Sequence, residues 1–143
     1  MKTRASIMGH PVHMSLAHFP MAFLIGAFAF DVAAKVSANG QLVSVAAYLL
    51  VVGLAASVLA AVPGLVDFLT TVPRAVRPNA IRHLVASVLG LLTFGAAWFV
   101  RGDIPGEVGA PALILETLGT LFVGLAGFLG GSLVLKDLIG PHT

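Results

Sequence analysis

The chain has no cysteine, which removes disulfides, thiolate-held zinc, iron–sulfur clusters and covalently attached c-type haem, since each needs a sulfur ligand or attachment point. Histidine and carboxylate are the strong ligands that remain. Charge is scarce as well: Lys, Arg, Asp and Glu make up 10% of 143 residues, against 58% hydrophobic. That is far more apolar surface than one small soluble core buries, so lipid is the missing solvent. Trp and Tyr are scarce, with one of each against nine Phe. A net charge of +2 from scattered Lys and Arg gives no basic patch for nucleic acid and instead reports membrane orientation. No nucleophile–base arrangement, phosphate-binding glycine loop or pair of catalytic carboxylates is present, which argues against an enzyme.

What is present is apolar sequence. Four stretches, Leu16 to Phe30, Leu42 to Val66, Leu84 to Val100 and Thr117 to Leu135, contain no charged residue, and flanking residues extend the shorter ones toward the ~20 needed to cross a bilayer. They lack the short alternating pattern of a membrane β-barrel. The expected fold is all-α: one domain over residues 1–143, an integral membrane up-down four-helix bundle with spans at about 16–36, 42–66, 80–101 and 112–136. A cleaved signal peptide is the competing reading of the first span. The histidine-rich leader and the interruption by Asp31 argue against it.

Turn chemistry supports the hairpins. Ser15 or Pro20 is placed to start the first span, and Ser37-Ala38-Asn39-Gly40 reads as a tight turn into the second, which Pro63-Gly64 is expected to bend or end. Asn79 is placed to cap the third span. Asp31 and Lys35 are spaced to pair along one helix surface. Short connections make the spans alternate in direction. Lys2, Arg4, Arg74, Arg77, Arg82 and Lys136 then share one side, with Lys35 and Arg101 on the other. The cation-rich side is expected to be cytoplasmic and to hold both termini.

Four of the five histidines, His10, His13, His18 and His83, together with Asp67, fall on that cytoplasmic side. His18 and His83 begin the first and third spans, which lie diagonally in an up-down bundle, so they are placed to ligate one haem iron from opposite sides. Small residues beneath them, Ala22 and Gly26 on one helix and Ser87 and Gly90 on the other, leave room for a macrocycle. Arg74, Arg77 and Arg82 are placed to neutralise its propionates. The competing reading is close helix packing and interfacial histidines with no cofactor. A second use of the same residues is a zinc, iron or copper centre built from His10, His13, His18, His83 and Asp67. Asp67 alone is expected to pair with Arg74, Arg77 or Arg82.

The last span carries Gly119, Gly124, Gly127, Gly130 and Gly131, including the Gly-x-x-x-Gly spacing that lets membrane helices touch. It suits an accessory subunit of a larger membrane complex. A faint likeness between spans one and three, His18 with Ala22 against His83 with Ser87, hints at duplication. Glu116, near a helix N-terminus, needs no further role.

His10-Pro11, His13, His18-Phe19-Pro20, Asp31, Gly64-Leu65-Val66-Asp67 and His83 together resemble a bacterial family of small four-span membrane proteins, the domain of unknown function numbered twenty-two thirty-one. The likeness covers nearly the whole chain. That family is distantly similar to b-type membrane cytochromes and ferric reductases, and its members sometimes adjoin Rieske domains. The resemblance implies a bacterial inner-membrane protein in a redox setting, with His18 and His83 as the positions carried over. Those cytochromes usually hold two haems at opposite depths, whereas these histidines lie on one side. One haem b at most is implied.

Overall fold

Helix length follows from the apolar runs plus their polar flanks. The computed structural model describes residues 6–7, 10–101 and 106–136. It contains α1 (Val12–Ser37), α2 (Gly40–Thr70), α3 (Arg77–Val100) and α4 (Ala110–Leu135). All four are long and apolar enough to cross a membrane. The shortest, with 24 residues, extends ~36 Å at ~1.5 Å per residue, more than the ~30 Å hydrocarbon thickness. Ahead of α1 the strands β1 (Ser6–Ile7) and β2 (His10–Pro11) pair antiparallel, a feature absent from the sequence reading.

The helix ends differ from expectation in informative ways. α1 starts at Val12 and carries Pro20 inside it, because a membrane helix tolerates proline where neighbouring helices satisfy the freed backbone. For the same reason α2 runs through Pro63 and Gly64 to Thr70 without ending there. Asn79 lies within α3 instead of capping it; the cap residue is Val76, with proline in the first turn. The turn between α1 and α2 is as tight as expected. Ala38 adopts a left-handed φ of 52°, Asn39 N–H donates to Ala34 O at 3.2 Å, and the Asn39 side chain accepts from Gln41 N–H at 3.1 Å. Helix closure and helix start are thus met by two residues.

α1 packs along α2 and α3 along α4, forming two hairpins; α1 also touches α4 and α2 touches α3, so α1 and α3 lie on a diagonal. Leu24, Ala27, Leu50 and Phe94 form the centre. Large apolar residues such as Leu59, Val62, Leu121 and Phe128 remain exposed around the outside, where only lipid shields them from water.

The two hairpins repeat one another. His83, Phe94 and Arg101 fall 70 residues after His13, Leu24 and Asp31, while Gly119, Ala126 and Gly130 fall 66 after Gly53, Ala60 and Gly64. Equivalent positions make equivalent contacts. A Cβ on Gly53 would lie 2.7 Å from Leu24 Cδ2, and one on Gly119 would lie 2.6 Å from Phe94 Cδ2. Both hairpins start from the same end, so they are related by rotation about an axis along the bundle, the parallel-repeat arrangement known in membrane proteins. The repeat pairs His13, not His18, with His83.

Candidate functional site

One end of the bundle brings two imidazoles together. The rings of His13 on α1 and His83 on α3 have their centres 6.1 Å apart with planes at 75°. His13 Nδ1 donates to the Ala60 carbonyl of α2 at 2.8 Å, and His83 Nδ1 donates to the Ala126 carbonyl of α4 at 2.9 Å. A carbonyl only accepts, so each Nδ1 carries a proton, and a ring protonated at Nδ1 alone keeps an Nε2 lone pair. Glycine one turn beyond each acceptor makes the approach possible. A Cβ on Gly64 would lie 2.6 Å from His13 Nδ1, and one on Gly130 would lie 3.1 Å from His83 Cε1.

The other expected ligands sit elsewhere. His18 is exposed; five residues after His13, it points ~140° around the helix. Asp67 is buried two turns beyond Ala60 on the same face of α2, and its backbone carbonyl accepts from Thr71 N–H at 2.8 Å. The backbone of His10 belongs to β2, and its side chain lies outside the described residues, as does all of His142. Among the described residues no group of three His, Asp or Glu side chains converges to hold a metal ion. The five-residue centre drawn from His10, His13, His18, His83 and Asp67 is therefore not assembled there. Arg74, Arg77 and Arg82 are exposed at this end. The Arg77 guanidinium lies 5.3 Å from the Phe68 ring centre, and Arg82 Nη1 donates to Asn79 Oδ1 at 3.4 Å.

The opposite end holds a charge cluster. Eighteen residues separate His13 from Asp31 and His83 from Arg101, ~27 Å along each helix. Arg101 bridges Asp31 in a bidentate pair, through Nη1 to Oδ2 and through Nη2 to Oδ1 at 2.6 Å. Its Nη1 also donates to Glu116 Oε1 at 3.0 Å, and its Nη2 to the Val43 carbonyl at 3.0 Å. Asp31 and Glu116 are 0% exposed and Arg101 is 8% exposed. The expected Asp31–Lys35 surface pair is replaced, because an arginine fork meets a carboxylate in two hydrogen bonds while lysine meets it in one. Glu116 likewise has a buried ion-pair role beyond its place near a helix start. The missed signal was the 70-residue offset, which sets an acid in one repeat against a base in the other.

Diagonal helices with paired, backbone-anchored imidazoles at one end and a buried ion-pair cluster at the other define a four-span helical membrane protein with polar groups concentrated near its two ends. The chain belongs to the DUF2231 family, described as predicted membrane proteins, whose model matches residues 9–142. No curated protein and no solved structure matches it.

Proposed function

We propose that the chain holds one b-type haem between His13 and His83 and carries electrons to or from a larger membrane complex. The observation behind this reading is the His13–His83 pair itself, with each Nδ1–H anchored on a backbone carbonyl. Such second hydrogen bonds fix ring orientation and raise the basicity of the free nitrogen in metal-ligating histidines. The ring centres lie 6.1 Å apart, close enough that His13 and His83 would together hold one metal at the ~2 Å imidazole bond length. Two protein ligands are too few for a bare zinc site, which takes three or four. They would suit an iron that a macrocycle also holds, and bound haem would supply a one-electron couple.

In this reading His13 replaces His18 as the partner of His83. Gly64 and Gly130 hold the rings against their carbonyls, and Arg74, Arg77 and Arg82 are the cations available to the propionates. The excess of Lys and Arg on the histidine side supports a cytoplasmic placement of this end and of both termini, in the inner membrane of a bacterium. Gly127 is used within the chain, facing Met21, whereas Gly124 and Gly131 have nothing within 4 Å and offer a surface for close approach by a helix of another subunit.

An absorption spectrum of the purified, haem-replete protein is the test. A Soret band is expected that persists in His18→Ala and is lost in both His13→Ala and His83→Ala. Absence of the band in the unaltered protein, with no metal by elemental analysis and copurification with a multisubunit partner, would establish a cofactor-free accessory subunit instead. Stoichiometric zinc, iron or copper without haem would establish the non-haem centre.

A further inference from the structure

The end of the bundle far from the histidines carries one charge too many. Arg101 from the end of α3 serves both Asp31 of α1 and Glu116 of α4, and α2 contributes only the Val43 carbonyl. Two carboxylates against one guanidinium leave a net negative charge in a buried place, which low dielectric makes costly. Among the described residues, Glu116 Oε2 and the Thr120 hydroxyl, both buried, have no hydrogen-bond partner.

The internal repeat makes this pair of atoms conspicuous. Glu116 and Thr120 fall 66 residues after Leu50 and Leu54, which lie in or against the apolar centre of the bundle. The first hairpin therefore fills these positions with leucine, and the second fills them with oxygen. Thr120 also departs from the habit of its neighbours. The hydroxyls of Ser37, Ser57, Thr70, Ser87, Thr117 and Ser132 each donate to the carbonyl one turn earlier, the usual way a helix satisfies such a group. The Thr120 hydroxyl does not, and it stands one turn from Glu116 on the same face of α4.

We propose that Glu116 Oε2 and Thr120 Oγ1 form a binding site for one small monovalent cation, a proton or an alkali ion, that balances the second carboxylate. Asp31, Arg101 and Glu116 sum to one negative charge, so one monocation restores neutrality and a divalent ion would overshoot. Carboxylate and hydroxyl oxygens are hard donors suited to either occupant. Ala34, Lys35, Val43 and Glu107 line a cleft at this end. It abuts the cluster through Val43, whose carbonyl Arg101 holds, and through Ala34, one turn from Asp31. Among the described residues, Lys35 and Glu107 are the charged groups that line this cleft, and their opposite signs leave its balance unchanged.

The test uses the full-length purified protein. A proton gives an infrared carboxylic-acid band that Glu116→Gln removes and Thr120→Val shifts. An alkali ion gives no such band; instead the melting temperature rises saturably with lithium or sodium chloride but not with choline chloride at equal ionic strength. Glu116→Gln abolishes that response, and Thr120→Val moves its midpoint to about tenfold higher salt. Either pattern supports the site, and Thr120→Val decides the matter should Glu116→Gln fail to fold. Unaltered protein showing neither signal overturns the proposal, as does a signal that persists unchanged in both variants.

Discussion

At the scale of single residues, the positions most sensitive to change are those where a side chain reaches a backbone group through space left by glycine. A Cβ at Gly64 meets His13 Nδ1 at 2.6 Å, but at Gly130 it meets a carbon of His83 at 3.1 Å. Gly64→Ala is therefore expected to break the His13–Ala60 hydrogen bond and lower stability by ~1–3 kcal/mol. Gly130→Ala is expected to cost less, because a small ring displacement relieves its contact. Denaturation in detergent compares the two, and equal effects would contradict the geometry. The choice between His13 and His18 was not legible in sequence, since the expected starts of the first span, Ser15 and Pro20, both left His13 ahead of the helix. With α1 beginning at Val12, His13 turns inward and His18 outward.

At the scale of elements, the paired helices read each other through alternating large and small residues. Phe94 is 0% exposed and fills the space that Gly119 leaves open, as Leu24 does at Gly53. Overpacking by Gly119→Ala is expected to cost ~1–3 kcal/mol. Gly95→Ala, one position after Phe94 and with nothing within 4 Å, should be neutral or stabilising by up to ~1 kcal/mol through helix propensity. Melting temperatures of the two variants check the contrast. The existence and order of all four helices were legible, because uninterrupted apolar length decides the matter in lipid. The far end of α2 was not: Pro63 and Gly64 are breakers in water but are carried inside a membrane helix whose neighbours supply hydrogen bonds. The repeat was read only faintly, and at the wrong offset of His18 against His83, for a related reason. Apolar helices look alike at any offset, and only the anchors His13/His83, Gly53/Gly119 and Asp31/Arg101 fix it.

At the scale of the whole molecule, the hairpins are joined near both ends, by the imidazole pair on one side and by the Asp31–Arg101 fork on the other. Removing one partner of a buried pair leaves a charge uncompensated, so Arg101→Ala is expected to destabilise the bundle by ~3–5 kcal/mol. Asp31→Arg should be as damaging. Reversing the pair as Asp31→Arg with Arg101→Asp should recover part of the loss, with Glu116 then beside an arginine on α1. A double-mutant cycle on melting measures that coupling, and additivity of the two single changes would show that the fork does not hold the hairpins together. The cluster was invisible to local reading because Asp31 and Arg101 are 70 positions apart and each looked like an ordinary helix-end charge.

The two-residue connection at Ala38 and Asn39 bears on how the chain reaches the membrane. With α1 closing directly into α2, no extended hydrophilic segment has to be threaded across between the first two spans. The first hairpin can leave the insertion machinery as one unit before Arg101 has been synthesised. For that interval Asp31 lacks the arginine that holds it in the folded bundle, so the ion-pair cluster is completed after the second hairpin arrives, making it a late step in the assembly of the newborn protein.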